Sequence, residues 1–178
     1  MCVLSPISGI QPSPAKYVGA AELRGGEVVT IRPIRLEDEA KMVQFHKTLS
    51  ENSVYQRYAG LLKLDVRVAH ERLARICFLD SDREMALVAE RAGEIVAVAR
   101  LVRLRRTRDA EFALLVSDAL QGQGLGRAML TRLFDVGRDW GIERIVAYIL
   151  PSNAPMRRVC RSLGFTFQGE TGASKELS

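Results

Sequence analysis

Apolar residues along this chain recur at two spacings, and each change of spacing marks a new element. Val28-Val29-Thr30-Ile31-Arg32-Pro33-Ile34 is rich in β-branched residues and predicts a first strand ending around Pro33. Leu36-Glu37-Asp38-Glu39 then opens a helix with acids in its first turn, where the helix dipole favours them. Met42, Val43, Phe45, His46 and Leu49 follow at helical spacing. Ser50 to Ser53 reads as a break and restart, with Ser50 or Asn52 capping a short piece through Tyr55 and Tyr58. Asp65 caps a further helix that carries Val66, Ala69, Leu73 and Ile76. His46 reads as structural, because no second ionisable residue stands at a diagnostic spacing from it, and His70 reads the same way.

The pattern then turns to strands. Glu84 to Glu90, the turn Arg91-Ala92-Gly93-Glu94 and Ile95 to Val102 predict a hairpin. Ala110 to Val116 predicts the next strand, antiparallel to the last. After a glycine-rich turn, Leu125, Met129, Leu130, Leu133, Phe134 and Trp140 form an apolar helical stripe, with Gly141 placed to end it. Arg144 to Ile149 predicts a strand, and Pro151-Ser152-Asn153 introduces a helix containing Met156, Val159, Cys160 and Leu163. Leu163-Gly164-Phe165 closes that helix and starts a last short strand, Phe165-Thr166-Phe167. The predicted organisation is an irregular arm over 1–26, holding Pro6, Pro12 and Pro14, a domain over 27–168 and a polar, flexible tail over 169–178.

Composition narrows the partners. A chain of 178 residues fits one domain with a sizeable core. Its net charge of +5 suits an anionic ligand, an acidic partner surface or nucleic acid. Aromatics at 6%, with no interleaving of basic and aromatic residues, argue against nucleic acid. Cys2, Cys77 and Cys160 form no C-x-x-C and no Cys/His cluster, so neither a metal site nor a disulfide frame is expected and a reducing cytoplasm is. No signal peptide and no membrane-spanning run is read.

The candidate chemistry lies in Gln121-Gly122-Gln123-Gly124-Leu125-Gly126-Arg127, between an apolar strand and a helix. The first N–H groups of a helix lack internal partners, and glycines let a phosphate approach them closely. The spacing has no Gly-Lys-Ser/Thr, so it is not a P-loop, and its third glycine comes one residue early for a dinucleotide turn.

Gln121, Gly124 and Gly126 match Gln-x-x-Gly-x-Gly, which resembles the acetyl-CoA pyrophosphate loop of the GNAT acetyltransferase superfamily. The order of elements, Asn153 at the start of the last helix and Leu163-Gly164-Phe165 at its end resemble the same superfamily over about Glu27 to Phe167. Val29 to Asp38, Leu49 to Tyr58 and Ala110 to Ala113 are similar to the acetyltransferase domain of bacterial Pat-type protein lysine acetyltransferases. The resemblance implies an α/β (α+β) fold, a mixed, mostly antiparallel twisted sheet flanked by helices. It implies acetyl-CoA as cosubstrate, no metal, and direct acetyl transfer to a lysine amine of a protein, an AMP-forming acyl-CoA synthetase being the expected target. The backbone at Leu114, Leu115 and Val116 would pair with the pantetheine arm, Gln121 through Arg127 would hold the pyrophosphate, and Asn153 would contact the CoA arm. Many Pat-type enzymes carry a second large domain, for which 178 residues leave no room, so regulation and target stay open.

A lysine amine has a pKa near 10.4 and must lose a proton before it attacks, so a carboxylate base is needed. Glu111 is the candidate, both by resemblance and as a charged residue opening an apolar strand on one face with Ala113 and Leu115. Where many relatives have a tyrosine as acid for the leaving thiolate, this chain has Cys160, read as a core cysteine first; Tyr148 is a second candidate acid. Arg100, Arg103, Arg105, Arg106 and Arg108 read as a solvated strand end, or as a patch for an acidic protein or for CoA phosphates. Two other functions stay open: acetylation of a small amine, and a CoA-binding module without catalysis.

Overall fold

Strand alternation sends each residue of the central sheet to one of two cores. In the computed structural model, which describes residues 14–77 and 83–177, the chain runs β1 (Gly19–Glu22), β2 (Val28–Pro33), α1 (Glu39–Lys47), α2 (Glu51–Tyr58), α3 (Leu64–Arg67), α4 (His70–Cys77), β3 (Glu84–Arg91), β4 (Glu94–Arg103) and β5 (Asp109–Val116). It continues through α5 (Leu125–Asp139), β6 (Arg144–Tyr148), α6 (Ala154–Ser162), β7 (Thr166–Gln168) and β8 (Gly172–Glu176). All strands join one sheet in the order β1-β2-β3-β4-β5-β6-β8-β7. Every pairing is antiparallel except β5 with β6, so the expected mixed, mostly antiparallel sheet is present.

On one face Leu101, Phe112 and Leu114 pack against Leu125, Met129 and Leu133 of α5. On the other, Ala86, Val88 and Leu115 pack against Met42, Phe45 and Leu73 of α1 and α4. Burial on both faces explains why β3 reads as an almost unbroken apolar run. Gly141, at φ +67°, closes α5 as expected, since only glycine adopts that conformation freely.

A charged network lies inside the second face. Arg32 on β2 donates from both terminal nitrogens to Asp38, at 2.7 and 2.8 Å, and from Nε and Nη2 to Glu90 on β3, at 2.9 and 2.6 Å. Lys41 of α1 adds a third contact, to Glu90 at 2.9 Å. Burial pushes the Asp38 carboxyl up, but the hydrogen bonds from Arg32 and from the Arg35 N–H together hold it below the usual carboxylate range. The network fastens two strands to the start of α1.

Three expectations are corrected. The arm over 1–26 is not irregular throughout: residues 19–22 form β1 on β2, with Tyr17 and Leu23 buried beside it. Tyr17 donates to Asp139 at 2.7 Å and Lys16 pairs with the same carboxylate at 2.6 Å, so contacts with α5 hold this edge. The tail is not frayed either, because β8 inserts between β6 and β7 and pairs with both. The helix predicted from Asp65 is two pieces, α3 and α4; Asp65 lies inside α3, accepting from the Val66 N–H at 2.8 Å, and Lys63 holds the cap position. Residues 1–13, with Cys2, lie outside the described residues.

Candidate active site

The site begins where two parallel strands part. β5 pairs with β6 only from Asp109 to Glu111, against Arg144 to Val146. β5 runs on to Val116 and β6 to Tyr148, so from Phe112 onward the β6-side edge of β5 has no strand partner. The gap is a cleft of about 900 Å³. Its walls are the β5 edge, Ala147 to Ile149, Asn153 and Val159 at α6, and Gln56 at α2. Gln56 Nε2 meets Ser152 Oγ at 3.1 Å and ties α2 to the turn before α6.

The glycine turn closes one end of this cleft. Gly122 and Gly124 have φ +75° and +92°, which favour glycine, and a Cβ at either would meet nothing within 4 Å because both face open space. Gly126 lies close to the sheet, where its Cβ would stand 3.4 Å from Leu114. The Ala128 N–H bonds back to the Gly124 carbonyl at 3.1 Å, leaving the N–H groups of Leu125, Gly126 and Arg127 ahead of the intrahelical ladder. This fifteen-residue helix therefore presents free donors and the positive end of its dipole to the cleft.

Side chains around the turn brace it. Asp118 accepts from the Ser50 N–H at 3.0 Å, the Ser50 hydroxyl at 2.5 Å and the Ser53 hydroxyl at 2.9 Å. Ser50 also caps α2, accepting from the Ser53 N–H at 3.2 Å. Gln121 donates to Ser53 Oγ at 3.0 Å and to the Val116 carbonyl at 3.2 Å. Its amide thus turns inward to hold the loop, and Gln123 does likewise against the Ala119 carbonyl at 3.2 Å.

Of the residues singled out by sequence, Glu111, Leu114, Leu115, Val116, Gln121, Gly122, Gly124, Gly126, Arg127 and Asn153 all line the cleft. Leu114 and Leu115 are buried residues of the β5 edge that borders the cleft. Leu125 and Gln123 do not line it; Leu125 is fully buried against the sheet and serves the core. Asn153 caps α6 by accepting from the Met156 N–H at 3.2 Å and stands in the cleft wall as well. Glu111 sits at the last paired register, exposed, where β5 and β6 begin to part.

Cys160 is wholly buried outside the cleft, and burial pushes its thiol up to about 12, which fits a core cysteine. Tyr148 is exposed and lines the cleft. Both histidines lie elsewhere, His46 buried and His70 paired with Glu39 at 2.5 Å. Sequence reasoning missed Arg57 of α2 and gave Arg100 of β4 no place near Glu111, yet both line this end of the cleft. The register pairs Val102 with Glu111 and Arg100 with Ala113, which puts Arg100 on the face of Glu111. Among the described residues, no group of three or more His, Cys, Asp or Glu is arranged to hold a metal ion, and no helix is long and apolar enough to cross a membrane.

A family model for the acetyltransferase (GNAT) family matches residues 52–165. An acetyltransferase of Pseudomonas aeruginosa is 31% identical over 157 residues, 87% of this chain and 84% of that protein. The acetyltransferase Pat of Mycolicibacterium smegmatis is 28% identical over 145 residues, which are 80% of this chain but 43% of that relative. Among solved structures, the GNAT domain of S. lividans PAT superposes with a TM-score of 0.85 at 30% identity, covering 93% of this chain and 100% of that one.

Proposed function

The chain belongs to the GNAT acetyltransferase family and is an acyltransferase, and on that premise we propose that it acetylates a lysine side chain of a protein from acetyl-CoA, with Glu111 as general base. The observation that carries this reading is the parting of β5 from β6, which leaves a bare strand edge running from a carboxylate to a helix N-terminus. From Glu111 to Val116 the strand spans about 17 Å. That path fits a long thin ligand with a polyanionic tail.

Acetyl-CoA, when bound, supplies an acetyl group activated as a thioester. The backbone edge from Phe112 to Val116 binds the amide-bearing arm as an added strand would. The N–H groups of Leu125, Gly126 and Arg127, with the turn at Gly122 and Gly124, hold the pyrophosphate. Leu125 acts through its backbone alone, Gln121 and Gln123 by fixing the turn, and Asn153 by keeping α6 in the wall. Glu111 takes the proton from the acceptor ammonium, directly or through one water, so that the amine lone pair is free to attack. Tyr148, exposed in the opposite wall, or solvent returns a proton to the leaving sulfur.

A protein acceptor is supported by the similarity to two Pat proteins, and an acyl-CoA synthetase is the first target to try. The test incubates the protein with acetyl-CoA and such a synthetase and reads the mass of both. One added acetyl group on one lysine with wild type, and a loss of about 10²-fold or more in Glu111→Gln with acetyl-CoA binding kept, is the expected result. Binding without any acetylated protein would turn the reading toward a small amine, and binding with no acetylated amine at all toward a CoA-sensing module.

A further inference from the structure

Arg57 and Arg100 line the cleft together with Glu111, and a third guanidinium, that of Arg72, lies behind Arg57 against the same tyrosine ring. Arg57 projects into the cleft from the last turn of α2, and Arg100 from β4. Arg72 of α4 lies over the Tyr58 ring at 5.2 Å, while Arg57 lies over the same ring at 4.9 Å. Arg100 donates through Nη2 to Glu84, but its Nε is buried with no partner, and so is Nε of Arg72. Among the described residues no carboxylate forms an ion pair with Arg57. Burial, with Arg72 and Arg100 close by, lowers the pKa of Arg57, against the opposing pull of Tyr58 and Glu111. A half-buried cation with other guanidinium groups close by, and no ion-paired carboxylate among the described residues, is stabilised by an added anion.

We propose that Arg57 and Arg100 form a carboxylate-binding subsite next to Glu111, so that the preferred acceptor presents a carboxylate close to its reacting amine. The inference rests on Glu111 marking the acceptor end of the cleft. The arginines belong to that end: Arg100 stands on the face of Glu111, and Arg57 lies in the last turn of α2, whose first turn is tied through Ser53 to Asp118 and Gln121 at the glycine turn. Arg57 has donors for a bidentate contact, and Arg100 lines the same cleft beside it. The arrangement also disfavours an acceptor that brings only its ammonium, since Arg57, unlike Arg100 with its Glu84 partner, repels it uncompensated. The carboxylate comes either from an acidic side chain beside the target lysine or from an amine of amino-acid size.

The experiment compares matched acceptors at low salt. One pair is a lysine peptide flanked by aspartates and the same peptide flanked by asparagines. The other is a set of free amino acids and their carboxamides. The expected result is a preference of about tenfold or more in kcat/KM for the carboxylate member of one pair, which identifies the source. Arg57→Gln should bring that ratio close to one, chiefly through KM, and Arg57→Lys should restore part of it. Isothermal titration of the N-acetylated products into the CoA-loaded protein reads the same preference without turnover. A wild-type ratio near one in both pairs, or a preference that survives Arg57→Gln, overturns the subsite. Acetyl transfer without preference would leave the lysine reading standing and the subsite rejected. Selective binding of the aspartate product with no transfer would do the reverse.

Discussion

Arg32 and Arg57 stand on the same side of the sheet and are treated in opposite ways. Arg32 is 5% exposed and has its charge met twice over, by Asp38 and Glu90, with Lys41 completing the group. Arg57 faces the cleft with an aromatic ring and two more arginines for company. The first arrangement closes on itself and fastens β2, β3 and α1. In the second, no carboxylate among the described residues pairs with Arg57. Buried charge is costly in water-poor surroundings, so a fold keeps it only where a partner is built in or supplied from outside.

The largest effect should come from opening the closed network. Asp38→Asn keeps the shape but removes the anion that meets both terminal nitrogens of Arg32. Breaking a buried pair on one side costs about 3–5 kcal/mol. For a chain of this size that lowers Tm by on the order of 10 °C. Thermal unfolding checks it, and an unchanged Tm would mean that Glu90 alone suffices for Arg32.

Much of this contrast was hidden in the sequence, whereas the machinery around it was legible. The strand, glycine turn and helix at Ala110 to Trp140 could be read because alternation, two glycines at positive φ and an i, i+4, i+8 stripe are local signals. The same stripe already assigned Leu125 to the core, in tension with placing it in the binding loop. β1 and β8 escaped notice because Gly-Ala-Ala-Glu and Gly-Ala-Ser-Lys-Glu carry no β-branched residue, and their pairing comes from partners elsewhere in the chain. Arg57 sits in Gln56-Arg57-Tyr58 on a polar helix and looks like a solvated face. Only the packing of α2 over the parted strands shows that this face borders the cleft. A side chain left without a partner by tertiary packing has no signature in spacing.

A second effect is read by acid. His46 is buried beside the cationic group, and burial, then Arg67, Arg72 and Arg57, push its pKa down to about 4. An unfolded histidine titrates near 6.5. Its stabilising contribution is therefore whole above about pH 6.5 and is lost as pH falls through about 4. The loss is on the order of 2–3 kcal/mol. Unfolding free energies measured between pH 7 and 4 should show this slope in wild type and a flatter one in His46→Phe. The slope should also shrink in Arg57→Gln, because one of the cations that opposes protonation is gone. An equal slope in all three would detach His46 from the arginines.

The smallest effect sharpens the comparison most. Removing a charge that has a built-in partner destabilises, but removing one without a partner takes away a cost. Arg57→Gln should therefore leave the unfolding free energy within about 0.5 kcal/mol of wild type, or raise it slightly. Some packing over the Tyr58 ring is lost, and relief of repulsion from Arg72 and Arg100 offsets it. Chemical denaturation of the two proteins at pH 7, run beside Asp38→Asn, gives the comparison directly. A loss for Arg57→Gln as large as that for Asp38→Asn would show that Arg57 has an internal structural partner and would remove the reason for expecting an anion from outside. A neutral or favourable change would agree with a guanidinium whose anion comes from outside the chain.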